Sequence, residues 1–392
     1  MSPLADNSNL RPSWQGALRH ATEIAVRPAS MGIALVAQAY LLQKTAEGFL
    51  AFNAIYATQN ILAHLFYPGI AISAFRAANG FSQIQLRLFY LVSTALVVLA
   101  FALLPFWSAA TIALVGTALT ATRSIMAQYY LGQARPIISS MLTQILPWST
   151  LMIFLVMLPN TDYLPLMPLL MVLPSGLLAI KAIFGLAPNL LSSSLKVNWK
   201  LGVFAFIQSF KNHGISILAS SFPSAEVAGA LFMVKLLSAA QNVVEYAGAR
   251  RVKRLSVLLR ARDEPAPTGA LKSAMRDGLG MGVVMIAGTL LLYFQPFLSG
   301  FEALEALKAS IMPIIILLAV FSPFFLMQQV AVNILEDGQL FAINVTSVAI
   351  LLGVYAAGHA LMAPGLTIFL SYAAATLYFA SALTYGLTQC QK

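Results

Sequence analysis

The sequence predicts an all-α polytopic membrane protein, with about 12 transmembrane helices in two six-helix lobes around a central cavity. Three observations predict it. Hydrophobic residues make up 59% of the 392-residue chain and charged residues only 9%, against about 25% charged in soluble domains. Several apolar runs exceed the roughly 18 residues that mark a spanning helix. The two halves of the chain also repeat each other's polar landmarks. Backbone groups in lipid must be bonded within the protein, which leaves helices or closed barrels. Long apolar runs without period-two alternation leave helices.

The spans fall near 18–43, 47–75, 84–104, 107–130, 135–158, 164–187, 200–221, 226–249, 274–296, 307–333, 340–361 and 365–388. Prolines and glycines punctuate many ends: Pro68-Gly69, Pro105, Pro159, Pro223 and Pro364-Gly365. Residues 1–19 are polar and lack the apolar core of a cleavable signal, so the first span is expected to act as an uncleaved insertion signal. The single cysteine, Cys390, allows no intrachain disulfide and no cysteine-based metal site.

Basic residues orient the chain. With both termini placed in the cytoplasm, Arg11, Arg19, Arg76, Arg87, Arg123, Arg135, Lys181, Lys196, Lys200 and the cluster "ARRVKRLSVLLRAR" all mark inner loops or their flanks. Outer loops hold only Lys44 and Lys308 among the basic residues, beside Glu47, Asp162, Glu226, Glu302 and Glu305. This is the positive-inside pattern with every loop in phase. It accounts for the net charge of +10, so nucleic acid is not needed as a partner. The basic cluster also suits anionic lipid, although a topology signal is the simpler reading. Three basic residues are left within spans: Arg27, Lys211 and Lys235.

The repeat is carried by two matches. "AEGFLAFNAIYATQNIL" from Ala46 parallels "AEVAGALFMVKLLSAAQNVV" from Ala225, each with Ala-Glu at the start and Gln-Asn deep inside. "YLGQARPIISS" parallels "LEDGQLFAINV", with Gly132-Gln133 answering Gly338-Gln339. The expected organisation is a first lobe over 1–187, a cytoplasmic linker over 188–199 and a second lobe over 200–392. Two bundles of like orientation, related by an axis along the membrane normal, place a site between the halves.

Polar residues inside the spans fall into stripes at helical spacing. The first span carries Arg19, Glu23, Arg27, Ser30 and Gln38; the second Asn53, Tyr56, Asn60, His64 and Tyr67. The seventh carries Gln208, Lys211, Asn212 and Ser216, and the eighth Lys235, Ser238, Asn242 and Glu245. Each residue alone has a plain structural reading. Glu23 can neutralise Arg27 one turn on, a lone His64 can be a bonded packing residue, and amides often bond a neighbouring helix. As a set, the stripes gather on the opening helices of both halves, as a shared wet cavity requires. A charge at the bilayer centre costs about 2.5–3.5 kcal/mol and so faces a cavity or a partner. Arg27, Lys211 and Lys235 outnumber Glu23 and Glu245, so the cavity is net positive and suits an anion such as phosphate. Tyr40, Tyr56, Tyr67 and Trp148, with the amides and hydroxyls, suit sugars.

The order of elements resembles a known family. A basic N-terminus leads to a polar first helix. "AEGF" opens the second, and "SAEVAGALFMVKLLSAAQNVV" repeats that unit before a basic inner loop and "LLAVFSPFFLMQQVAVNILEDGQLFAINVTSVAILLGVYAAG". Over nearly its whole length the chain resembles the polysaccharide transporter branch of the multidrug/oligosaccharidyl-lipid/polysaccharide (MOP) exporter superfamily. That branch holds the Wzx-type O-antigen flippases and the lipid II flippase. The resemblance implies alternating access in a bacterial inner membrane and a polyprenyl-diphosphate-linked glycan as substrate. Arg27, Lys211 and Lys235 would hold the phosphates. Gln38, Asn53, Tyr56, Asn60, His64, Gln208, Asn212 and Asn242 would line the cavity. No cofactor is implied. Sodium or proton coupling would fall to Glu23 and Glu245. Implied partners are membrane lipids and polysaccharide assembly proteins such as a polymerase.

Two other classes compete. A drug exporter of the same superfamily would share the fold, but such cavities more often need acidic residues for cationic drugs. A membrane-embedded polymerase, ligase or acyltransferase needs a catalytic constellation on one face. Here the outer loops are short, and His20, His64, His213 and His359 are scattered over different helices. A scaffold without transport leaves the paired stripes unexplained.

Overall fold

The computed structural model describes residues 14–77, 84–105, 108–133, 135–158, 161–186, 191–192, 199–247 and 335–389, with parts of 275–290 and 315–324. The first span is one long helix, α1 (Trp14–Lys44). The second is broken, against the expected continuous 47–75. It divides into α2 (Ala46–Phe66) and α3 (Ile70–Ala77). Pro68 lacks the N–H that would continue the ladder. Gly69 takes φ 72°, a left-handed conformation that costs glycine little.

The third span begins after a short extended pair rather than at 84. Strand β1 (Ile84–Gln85) pairs in parallel with β2 (Leu191–Ser192), in register Ile84 to Leu191. The expected linker is thereby tied to the loop before α4 (Leu86–Leu103). Next comes α5 (Ser108–Gly132). The fifth span is a composite of α6 (Pro136–Ser140), a π-helical turn over Met141–Ile145 and α7 (Leu146–Met157). The widened turn directly precedes Pro147, where a missing N–H forces the ladder to adjust. A 3₁₀ turn over Thr161–Leu166 leads into α8 (Met167–Phe184).

The second half opens with α9 (Trp199–Ser220) and α10 (Ala225–Ala247) and closes with α11 (Asp337–Leu361) and α12 (Pro364–Gln389). Of the expected ninth and tenth spans only pieces are described, helical at 275–280 and Ile315–Phe324. The basic loop before the ninth span lies outside the described residues.

Among the described residues, five segments are long and apolar enough to cross a bilayer: Ala110–Gly132, Ile137–Met157, Tyr163–Phe184, Gly338–Leu361 and Pro364–Gln389. Helices α2 and α9 have the length but not the apolarity. Helices α1, α2, α9 and α10 carry the polar stripes, and they pack on one another.

That packing exchanges the two halves. Helix α2 lies along α9 and α1 lies against α10, while α2 also touches α10. Inside the halves, α1 packs on α7 as α9 packs on α11, and α7 on α8 as α11 on α12. The turns into α2 and α10 are built alike. Thr45 Oγ1 accepts from Gly48 N at 3.3 Å, and Ser224 Oγ accepts from Val227 N at 3.2 Å. Each is an N-cap that satisfies a free helix-start N–H. Glu47 and Glu226 follow in the first turn, where the helix dipole favours an acid.

One apolar core joins the halves near those turns. It holds Leu41, Phe49, Leu50 and Phe52 beside Val227, Ala228, Leu231 and Phe232. A second core lies within the first half and gathers Tyr67, Ile70, Ile84, Phe89, Ile125 and Ile183 around the α2–α3 break.

Candidate functional site

The polar residues near the middles of α2, α5, α9 and α10 meet where the halves face each other. Arg123 is the centre. It lies well inside α5, nine residues before the helix end at Gly132, and is only 3% exposed. This corrects the reading of Arg123 as a loop-flanking residue. The chain continues helical through Tyr129-Tyr130-Leu131, so the arginine is carried into the interior. Its Nη2 donates to Tyr56 Oη at 3.1 Å, and the guanidinium lies 5.9 Å from the Tyr56 ring centroid. Its Nη1 is buried and finds no hydrogen-bond acceptor among the described residues.

Tyr56 links Arg123 to the second half. Its ring meets His213 of α9 edge-on, centroids 6.4 Å apart and planes at 89°. Phe52 and Trp148 back the ring at 6.2 and 5.9 Å. Trp148 is 4% exposed, and its indole N–H donates to Gln144 Oε1 at 3.1 Å. These rings therefore pack on one another, and Trp148 offers no open face to a sugar. His213 Nδ1 is buried without a partner among the described residues. Lys235 of α10 donates from Nζ to Ser216 Oγ of α9 at 2.8 Å, one turn from His213. The charged and titratable groups whose fields reach His213 are Lys235, His64 and Arg123, all basic.

A small polar cavity of about 20 Å³ opens beside this cluster. Asn60, His64 and Tyr67 line it from α2 and its end, Ala71 from α3, and Thr120, Ser124 and Ile125 from α5. Asn60 Nδ2 donates to the Tyr56 carbonyl at 2.7 Å and Tyr67 Oη bonds Ser93 Oγ at 2.9 Å. Thr120 Oγ1 is buried with no partner among the described residues.

The structure places the other expected site residues as follows. Lys211 is buried, its ammonium 3.0 Å from the Phe379 ring centroid of α12. Two residues along a helix turn about 200°, so Lys211 and His213 look to opposite sides of α9. Lys211 thus sits inside the second half, away from the face that bears Tyr56 and Arg123. Asn53 is buried, with its Nδ2 given to the Phe49 carbonyl at 2.9 Å, and Gln38 is buried with its Oε1 unpartnered among the described residues. Gln208 is half-buried and Asn212 exposed. Glu23 and Arg27 lie in α1, and Asn242 and Glu245 in α10; their side chains are outside the described residues.

Sequence reasoning missed Arg123 and gave His213 no role. A signal for Arg123 existed. It stands eight residues after Val115 and seven before Tyr130 in a run that is apolar or hydroxyl-bearing apart from Gln128, too far from the next break to be a loop residue. Taking two cations, Arg123 and Lys235, into the bundle costs about 5–7 kcal/mol on insertion scales. That is comparable with the whole stability of a typical domain, about 5–15 kcal/mol. The described neighbours offset it only with a phenol and a hydroxyl.

No family model matches the chain, and no curated protein matches it. Solved structures do. The chain is similar to an inward-facing multidrug resistance MATE family transporter of the MOP superfamily, with a TM-score of 0.65 at 12% identity over 94% of this chain and 98% of that one. It is similar to the MATE multidrug transporter DinF-BH, solved in complex with a ligand, with a TM-score of 0.57 at 14% identity over 97% of both chains. An outward-facing MATE transporter of the MOP superfamily aligns with a TM-score of 0.54 at 11% identity over 96% and 95%. The chain therefore has the MOP-type fold of two helical lobes around a central cavity.

Proposed function

We propose that the protein is a flippase that carries a polyprenyl-diphosphate-linked oligosaccharide across a bacterial cytoplasmic membrane by alternating access. One observation carries the reading. Mid-helix basic groups from both halves, Arg123, His213 and Lys235, converge with donors to spare. Arg123 keeps one guanidinium nitrogen for Tyr56 and presents the other. A phosphate oxygen is the natural acceptor, because arginine forms charge-assisted bonds to phosphate in a fixed fork. Lys235 adds a point charge from the opposite half. An anion held between them touches both lobes at once and so biases how they sit together. The MOP-type fold supports transport as the activity. Arg27, a basic residue well inside α1, would join this clamp.

A small-molecule exporter is the rival, since the similar structures are multidrug transporters and one of them is a ligand complex. The basic lining repels cationic cargo, and this favours the anionic headgroup. Native mass spectrometry of the purified protein with a polyprenyl-diphospho-sugar separates the two. Wild type is expected to bind it, with Arg123→Gln and Lys235→Met each weakening binding at least about tenfold, the equivalent of 1.4 kcal/mol. A folded wild type that ignores this ligand and takes up small amphiphiles would establish the exporter instead.

A further inference from the structure

We propose that binding of the anionic headgroup is linked to proton uptake by the imidazoles of His64 and His213, and that His64 is served by the polar cavity between α2, α3 and α5. The proposal rests on the anion-binding reading above and adds to it the groups that answer the anion's charge.

The two histidines come from opposite halves, His64 on α2 and His213 on α9, and those helices pack along each other. His213 feels His64, Arg123 and Lys235 together. An anion arriving beside an imidazole favours its positively charged form. A diphosphate diester brings two negative charges. Histidine is the side chain whose protonation responds near neutral pH. The step is a proton transfer alone: a proton leaves hydronium or a buffer acid and bonds an imidazole nitrogen, with Nδ1 unpartnered on His213 among the described residues.

The cavity supplies the water that such a transfer needs. Its volume of about 20 Å³ holds a single water, which requires roughly 10–15 Å³ and two to four polar partners. Asn60, His64, Thr120 and Ser124 all face it, and Thr120 Oγ1, on a residue only 2% exposed, has no other partner among the described residues. A water there bonds Thr120 and hydrates the imidazole. The titratable groups placed around His64 among the described residues are Tyr67, just past the end of its own helix, and His213 on α9, which in turn lies in the field of Arg123 on α5 and Lys235 on α10. Arg27 on α1 and Arg76 on α3 have side chains outside the described residues.

The test is calorimetric titration of the purified full-length protein near pH 7 in two buffers of different ionisation heat. The ligand is a short-chain prenyl-diphospho-N-acetylglucosamine, a diester that does not itself titrate there. Wild type is expected to take up at least about 0.5 proton per anion bound, and its affinity to weaken as pH rises. The His64→Asn/His213→Asn double variant is expected to bind more weakly, and the binding that remains is expected to carry no proton uptake. Thr120→Leu, which fills the cavity, is expected to lose the share that His64→Asn loses. Binding without uptake, or full uptake in the double variant, overturns the proposal while the flippase reading stands. Uptake unchanged in Thr120→Leu removes the cavity from it. A folded wild type that does not bind overturns both.

Discussion

Arg123 and Lys211 exchange the roles that their sequence settings suggest. Lys211 stands in a polar stretch and reads as cavity lining, yet its ammonium lies on Phe379 inside the second half. Arg123 stands in an apolar run and reads as a loop mark, yet it reaches Tyr56 at the junction of the halves. Facing direction on a helix decides this, and a stripe in one sequence does not say which neighbour fills which side. Substitution at each position separates the two roles. Arg123→Lys is expected to bind the lipid-linked diphosphate less well than wild type but better than Arg123→Gln, because one ammonium cannot hold Tyr56 and also fork onto phosphate. Wild-type affinity in Arg123→Lys would reduce Arg123 to a point charge. Lys211→Met is expected to lower the thermal midpoint, since a desolvated cation–π contact is worth about 2 kcal/mol, with a smaller effect on binding than Lys235→Met. Equal loss of binding at both positions, with thermal midpoints unchanged, would return Lys211 to the clamp.

At the scale of elements, most of the chain was readable and the exceptions have local causes. Long apolar runs gave the helices α5, α8, α11 and α12 nearly end to end, even across Pro174 inside α8. The second span misled because its apolar character runs on past Pro68-Gly69, while the missing N–H and the left-handed glycine end α2 there. The repeat proved more physical than its letters. Behind the matched Ala-Glu pairs stand two hydroxyl caps, Thr45 and Ser224, at the two turns that open the striped hairpins. Thr45→Ala and Ser224→Ala are each expected to cost about 1 kcal/mol, seen as a lowered thermal midpoint in detergent. Glu226 extends this logic across elements, since its carboxylate accepts from Gly365 N at 3.2 Å at the start of α12. Lys44 does the converse at the end of α7, donating to the Leu155 carbonyl at 2.7 Å. Oppositely charged side chains thus pin the two opening hairpins to helix ends of matching polarity.

At the scale of the whole molecule, the two halves are joined by grease at one end and by charge in the middle. The joining core sits at the turns capped by Thr45 and Ser224, where the Phe49 and Phe232 rings meet edge-on with centroids 6.3 Å apart and planes at 64°. If the basic loops lie inside, as their asymmetry predicts, that end faces outward. Phe49 is wholly buried and Phe232 nearly so, so packed side chains close the junction of the halves at that end. The sequence pattern reads the halves as corresponding bundles. It could not show which end they close, because closure depends on pairs from different halves rather than on either stripe. If alternating access operates through this seam, locking it must stop transport without disturbing the site beneath. In a Cys390→Ser background, Phe49→Cys with Phe232→Cys joined by a short bifunctional thiol reagent is expected to abolish flipping in proteoliposomes and to leave diphosphate binding intact. Reduction of a cleavable linker is expected to restore flipping. Transport that continues with the two helices covalently joined would mean that α2 and α10 never separate here, and that the cargo leaves by another route.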